Sequence, residues 1–269
     1  MTNFFKNKVV IVTGGSDGIG KALIQELLLA GAKVSTCARN HDKLYQLQIQ
    51  NPAASLLTTI ADVSKENDCC RLIELTVKMF GTIDILINNA GISMRAELQD
   101  ATYDVFKKVM DINFFGSLYC TKEALPIILE KKGTIVGVSS IAGYRGLPGR
   151  GAYSASKYAM QGWLEALRTE LLDSGVNVMW VCPGFTASNI RNVALNKDGN
   201  AHGESPMDES KMMSANECAL EILSAIEKRK RTLVLTFTGK LTVLLNKLFP
   251  SLTDKMVRKF FYKNGKLVK

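Results

Sequence analysis

Apolar and polar positions run along this chain in two rhythms. Short, largely apolar stretches rich in β-branched residues recur, and between them lie longer stretches with an apolar residue every three or four positions. The first rhythm is that of buried strands and the second that of amphipathic helices. Strands are predicted at Val9–Val12, Lys33–Ala38, Leu56–Ile60, Ile83–Ile87, Gly133–Ser139, Val176–Val181 and Leu233–Thr236. Helices are predicted over Ile19–Ala30, Asp42–Gln50, from a cap at Ser64 to Phe80, and from Thr102 to Phe115 with a continuation towards Leu129. Two more are predicted over Ala152–Leu172 and Ala215–Glu227. Gly31, Asn51-Pro52, Gly81 and Gly175 supply the stops. Seven apolar runs separated by helices mean βαβ units, hence an α/β protein with a mostly parallel sheet covered on both faces. In such a sheet ligands bind beyond the carboxyl ends of the strands.

Composition fits that picture. The chain has 269 residues, 46% of them hydrophobic, which is enough for one large core and short for two. No internal repeat is evident. The first eight residues run directly into the first strand, so neither a signal peptide nor a membrane anchor is expected there, and no run of 18 apolar residues occurs. The six cysteines show no Cys-x-x-Cys spacing, and Cys37, Cys120 and Cys182 sit in apolar runs as small core residues. Reduced thiols and a cytoplasmic location are expected. His41 and His202 are the only histidines and lie far apart, so no metal site is expected.

Charge divides the chain. Residues 227–269 hold 12 Lys/Arg against 2 Asp/Glu, leaving the remaining 226 residues at −1 out of a formal net charge of +9. Lys228-Arg229-Lys230-Arg231 opens this tail, and apolar pieces such as Leu248-Phe249 and Phe260-Phe261-Tyr262 then alternate with single bases. A basic, apolar-faced tail suits peripheral contact with a membrane surface or docking of a partner. A helix packed on the body with its lysines in water is the alternative. No motif for nucleic acid accompanies the charge.

Chemistry enters at two places. Thr13-Gly14-Gly15-Ser16-Asp17-Gly18-Ile19-Gly20 follows the first strand and opens the first helix. Glycines there let the backbone approach a pyrophosphate, which meets the helix N–H groups. Gly15-x-x-x-x-Gly20-Lys21 is also a P-loop up to its last position, where Ala22 replaces the hydroxyl that would bind magnesium, so a nucleotide hydrolase is set aside. Further on, Tyr153 and Lys157 stand one helical turn apart, 13 residues after Ser140 at a strand end. A cation beside a phenol favours the phenolate and lowers its pKa towards the range of an acid–base catalyst.

With these residues the chain resembles the short-chain dehydrogenase/reductase superfamily over about residues 8–190. Thr13-Gly14-x-x-x-Gly18-x-Gly20 is similar to its dinucleotide turn, Asp62-Val63 to its adenine-pocket pair and Asn88-Asn89-Ala90-Gly91 to its motif after strand four. Asn113, Ser140, Tyr153 and Lys157 fall on its catalytic tetrad, and Ser140 rather than Ser139 has the right spacing to Tyr153. Pro183-Gly184 follows strand six, with Thr186 nearby and Ser188 where the family usually carries threonine. The tail and the stretch from Ser205-Pro206 resemble members near the 11β-hydroxysteroid dehydrogenases and orphan dehydrogenase/reductases. The resemblance implies a single Rossmann-type, doubly wound parallel sheet in the order 3-2-1-4-5-6-7. The catalytic domain would span 1–239 with a substrate lid at about 185–213, followed by a basic amphipathic extension at 240–269. It also implies a homodimer or homotetramer through the helices near 102–129 and 152–172.

The cofactor expected is NADP(H) rather than NAD(H). The second strand ends Cys37-Ala38-Arg39-Asn40, with no acid to hold a free 2′-hydroxyl and with Arg39 able to pair with a phosphate. Asp17 opposes this, since it could repel the phosphate. Asn89, Ala90, Gly91, Ser16 and Ile19 complete the expected contacts. The reaction implied is ketone or aldehyde to alcohol interconversion. Tyr153 is the acid/base, Lys157 holds the ribose and lowers the tyrosine pKa, Ser140 polarises the carbonyl, and Asn113 binds a relay water. Substrate choice is expected in Ile141–Arg150 (Tyr144, Leu147, Pro148) and in Phe185–Met213, where Phe185, Ile190, Val193, Leu195 and Met207 suit an apolar carbonyl compound. The alternative is a nucleotide-sensing or membrane-surface binding protein on the same fold.

Overall fold

The computed structural model describes residues 3–52, 54–203 and 212–268. Strand and helix alternate: β1 (Val9–Thr13), α1 (Gly18–Leu29), β2 (Lys33–Ala38), α2 (His41–Ile49), β3 (Leu56–Ile60), α3 (Glu66–Phe80) and β4 (Ile85–Asn88). Then come α4 (Tyr103–Met110), a π-helical turn at Asp111–Phe115, α5 (Gly116–Lys131), β5 (Thr134–Val138), α6 (Gly151–Glu170) and β6 (Asn177–Cys182). The chain closes with α7 (Ala215–Glu227), β7 (Thr232–Val234), α8 (Phe237–Leu248), α9 (Pro250–Phe261) and a two-stranded hairpin, β8 (Tyr262–Lys263) and β9 (Lys266–Leu267). The seven main strands form one parallel sheet in the order β3-β2-β1-β4-β5-β6-β7.

The strands are apolar throughout because both faces are covered. Ile11, Leu86, Ile135 and Trp180 pack against α3 to α6, while Val10, Val12, Ile87, Val136 and Val181 pack against α1 and α7. Burying one such side chain stabilises by roughly 1.5–3 kcal/mol, so this double coverage fixes the register of the central strands. That register sets the positions of the strand ends on which the cleft is built.

Three local predictions are corrected. Ser64 does not cap α3: the N-cap is Lys65, with no side-chain bond, and the Ser64 hydroxyl donates to Asp62 Oδ1 at 2.8 Å. The fourth strand begins at Ile85, because Asp84 Oδ2 instead accepts the Val9 N–H at 2.8 Å. The seventh ends at Val234, since Thr236 turns to φ +64 and caps α8 by accepting the Gly239 N–H. The long helix from Thr102 does continue past Phe115, through the π turn and α5.

The tail folds onto the body. Asn246 Nδ2 donates to the Tyr144 carbonyl at 2.9 Å, Arg145 pairs with Asp254 at 2.5 Å, Tyr262 donates to Glu97 at 2.5 Å and Arg95 to the Val268 carbonyl at 2.9 Å. The boundary expected at 239/240 falls inside α8. Among the described residues no helix is long and apolar enough to cross a membrane.

Candidate active site

The carboxyl ends of β1, β2, β4, β5 and β6 open into a cleft of about 550 Å³, a volume ordinary for a small-molecule site. The glycine turn forms its floor. Gly14 has φ +70, and a Cβ there would lie 2.8 Å from the Ala90 Cα; a Cβ on Gly20 would lie 2.3 Å from the Gly14 carbonyl oxygen. Only glycine lets the turn, the start of α1 and the end of β4 come this close. The turn therefore presents bare backbone at a helix N-terminus, which suits a pyrophosphate.

Gly14, Ser16, Asp17, Gly18, Ile19 and Gly20 line the cleft, as do Arg39, Val63, Asn89, Ala90, Gly91, Pro183, Gly184, Thr186 and Ser188. Two of the expected cofactor contacts do not. Thr13 is buried, and its Oγ1 accepts the N–H groups of Asn89 and Ala90, both at 3.0 Å, stapling β1 to β4. The Asp62 carboxylate accepts from the Ser64 N–H and hydroxyl, turned into the start of α3.

At the β2 end, Asp17 does not stand alone against Arg39. Its carboxylate accepts the Gly18 N–H at 2.8 Å as the cap of α1 and pairs with Lys43 Nζ at 2.5 Å. Partial burial works to raise the Asp17 pKa, but the Lys43 bond and the Gly18 N–H outweigh it and the net shift is downward. Asp17 is held charged and its charge is neutralised, leaving Arg39 as the excess cation in this corner. Lys43 escaped the sequence reading; it lies 26 residues from Asp17 and only the fold brings them together.

Ser140 and Tyr153 share the cleft wall, and the Ser140 hydroxyl accepts the Ala142 N–H at 3.1 Å. Ser139 is otherwise engaged, its hydroxyl accepting from Gln161 at 2.8 Å. Lys157 is 3% exposed; its Nζ donates to the Val138 carbonyl at 2.8 Å and lies 5.7 Å from the Tyr153 ring centroid. Burial pushes the Lys157 pKa down to about 8. Burial also pushes the Tyr153 phenol up; the strongest opposing influences are Ser140 and then Arg150. The Lys157 ammonium is aimed at the end of β5 through its bond to the Val138 carbonyl. The Ser140–Tyr153 pair can donate to and polarise an oxygen placed between them.

Asn113 stands behind this wall, not in it. Its Oδ1 accepts the Ile92 N–H at 2.8 Å and its Nδ2 donates to the Ile92 carbonyl and to Ser156, both at 2.9 Å. With these three bonds the side chain clamps the chain after β4. At the outer end, Leu147, Phe185, Ile190, Val193 and Leu195 line the cleft, joined by Arg150 and Arg191, which the sequence reading passed over. Tyr144 instead accepts from Trp180 Nε1 at 3.0 Å, Pro148 stands outside the lining, and Met207, with Ser205-Pro206, lies outside the described residues. The segment from Phe185 rests across the cleft: Asn189 reaches Asp17 at 3.4 Å, and Leu195 bonds Ser93 and Arg95 through its backbone.

The short chain dehydrogenase family model matches residues 8–199. Dehydrogenase/reductase SDR family member 7B of Mus musculus is 35% identical over 257 residues, covering 93% of this chain and 80% of that protein. The Drosophila melanogaster dehydrogenase/reductase SDR family protein 7-like is 33% identical over 258 residues, covering 93% and 79%. Among solved structures, a short-chain dehydrogenase/reductase from Burkholderia phymatum in complex with NAD superposes with a TM-score of 0.83 at 22% identity, over 94% of this chain and 96% of that one. One from Burkholderia cenocepacia in complex with NADP gives 0.79 at 22%, over 94% and 98%. At that identity the two structures speak to the fold alone.

Proposed function

The chain belongs to the short-chain dehydrogenase/reductase family, an oxidoreductase family whose fold binds NAD(P); within it, we propose, this protein is an NADP(H)-dependent oxidoreductase interconverting an apolar ketone or aldehyde and its alcohol. The observation that carries the reading is the placement of Ser140, Tyr153 and Lys157 together in the lining of a cleft whose floor is the glycine turn. The chemistry that a bound nicotinamide supplies is hydride transfer. Tyr153 gives its phenolic proton to the carbonyl oxygen in reduction and takes it back in oxidation. Ser140 donates a hydrogen bond to the same oxygen and fixes its position. Lys157 would hold ribose hydroxyls, and its proton, weakly held with a pKa of about 8, is available to recharge the tyrosine. Arg39, with Asp17 neutralised by Lys43, supports a 2′-phosphate over a free hydroxyl.

Leu147, Phe185, Val193 and Leu195 support an apolar body for the substrate. The test is to mix the purified protein with NADPH or NADH and a panel of apolar ketones and aldehydes. Faster oxidation of NADPH is expected; turnover with neither nucleotide would overturn the reading and favour nucleotide sensing without catalysis.

Peripheral membrane contact is proposed for the tail. Leu244, Leu248, Phe249, Leu252 and Met256 are exposed beside Lys247, Lys255 and Lys259, the composition that suits a lipid surface. Phe260 packs on Phe185 at 5.9 Å between ring centroids, placing this face next to the cleft mouth. Cosedimentation with anionic vesicles, lost in Leu248→Asp, checks it. Assembly as a homodimer or homotetramer through α5 and α6 is supported by the exposed Phe115 and Tyr158 and is read by light scattering.

A further inference from the structure

One buried cation in the cleft meets no acid among the described residues. Arg150, the N-cap of α6 and three residues before Tyr153, is 8% exposed and lines the cleft. Its Nη1 makes two long contacts, 3.3 Å to the Met94 carbonyl and 3.5 Å to the Ser93 hydroxyl. Among the described residues no Asp or Glu pairs with it. Its Nε and Nη2 donate to no protein atom there, and neither is sealed from the cleft. Buried guanidinium groups are ordinarily paired with a carboxylate or fully hydrogen-bonded. Burial lowers the Arg150 pKa; Tyr153 acts against that shift, and Arg95 and Arg191 act with it. A guanidinium stays protonated through such a shift.

Among the described residues Arg39, Lys43, Lys108, Arg150 and Lys157 line the cleft with one acid, Asp17, and Asp17 is already engaged by Lys43. The nucleotide's phosphates answer for Arg39 and Lys43 at the far end. They do not answer for Arg150, which sits beside Tyr153 with Leu147 on the same wall. A strut that only held the backbone at Met94 would turn its fork onto that carbonyl. Here Nε and Nη2 are left without a partner among the described residues.

Resting on the carbonyl-oxidoreductase reading above, we propose that Arg150 receives an anionic group of the substrate. The preferred substrate is then an amphipathic oxo compound, apolar along Leu147, Phe185 and Val193 and carrying a carboxylate or phosphate within reach of Arg150. A charge-assisted, two-pronged hydrogen bond at a site shielded from water gives this group a large share of substrate selection.

Reduction of straight-chain oxo acids and of their methyl esters by NADPH tests this, using the wild type, Arg150→Gln and Arg150→Lys. The expected kcat/KM favours acid over ester by about tenfold or more in the wild type. That ratio should fall towards one in Arg150→Gln and recover in part in Arg150→Lys. An acid-to-ester ratio of one or below in the wild type overturns the proposal without reference to any variant. So does a ratio unchanged in Arg150→Gln, which would leave Arg150 as a structural strut.

A second arm needs no turnover. With NADPH saturating the nucleotide end, hexanoate and inorganic phosphate are titrated separately, at constant ionic strength, by thermal shift. Stabilisation of the wild type that is lost in Arg150→Gln supports the anion site even if no oxo compound is reduced, in which case the site stands and the reaction reading falls. Esters reduced with no preference for acids, and no anion-dependent shift, leave the reaction standing and remove the site. Whichever of hexanoate or phosphate stabilises more identifies the group accepted.

Discussion

Positive charge does different work at the two ends of this cleft. At the end of β2, Arg39 is exposed and Lys43 is half-exposed in its pair with Asp17. Charges there are screened by salt, individually modest in effect and suited to choosing between two nucleotides. At the start of α6, Lys157 and Arg150 are 3% and 8% exposed. Burial there shifts pKa values and leaves a cation dependent on whatever enters the cleft. On the proposed function, the exposed end selects by a weak, salt-screened contact, while the inner end draws its reactivity from groups kept from water.

Breaking the buried end should have the larger effects. Lys157→Met is expected to cut NADPH-dependent turnover by about 10³-fold, read in steady-state assays. The same variant tests the burial directly. The folded pKa of Lys157, about 8, lies below its ordinary 10.5. Below pH 8 both folded and unfolded chains hold the proton, and the burial cost, on the order of 3 kcal/mol, is fully present. Between about pH 8 and 10.5 the unfolded chain binds more protons, so this group makes stability rise with pH. Burial pushes the Cys37, Cys182 and Cys218 thiols up to about 12, so they make stability fall as pH passes their ordinary value near 9. Urea midpoints taken from pH 7.5 to 9.5 should therefore fall less in the wild type than in Lys157→Met. Tyr153, whose pKa is raised, opposes this only above its ordinary value near 10. Next in size, Ser140→Ala should lower kcat by about 10²-fold with little change in KM.

The exposed end should give smaller and salt-sensitive effects. Arg39→Ala is expected to weaken NADPH binding by about tenfold while leaving NADH nearly unchanged, and the difference should shrink as salt is raised. Fluorescence titration at two ionic strengths checks both parts. Equal losses for the two nucleotides would place Arg39 away from any phosphate. The smallest effect belongs to the tail: Asp254→Asn removes a partly exposed pair with Arg145 and should cost less than about 1 kcal/mol in urea unfolding.

What could be read from the chain follows the same division between local and distant. The strands were legible because double burial writes a continuous apolar run, and the sheet order followed from a resemblance carried on contiguous motifs. The glycine turn and the Ser140, Tyr153 and Lys157 group were legible for the same reason: each is a short segment at one strand end. The direction in which Lys157 points was not, since it depends on a carbonyl 19 residues away on β5. The neutralisation of Asp17 needed α2 folded against the glycine turn. Arg150 was hidden in a loop already suspected of substrate choice, because what distinguishes it is the lack of an acid from any other described segment. The tail's apolar and basic alternation fits a lipid surface and a packed helix equally well, and only the bonds from Asn246, Asp254 and Tyr262 show that it lies on the body.

The central claim is that a half-buried phenol at the inner wall performs the proton step of a carbonyl reduction while a separate, glycine-floored end holds the nucleotide. Tyr153→Phe tests it most directly, with NADPH binding measured by fluorescence titration and single-turnover NADPH oxidation measured on the same protein with a ketone substrate. The account predicts binding within about twofold of the wild type and turnover lower by about three orders of magnitude. Undiminished turnover in Tyr153→Phe, or loss of binding and turnover together, would contradict it.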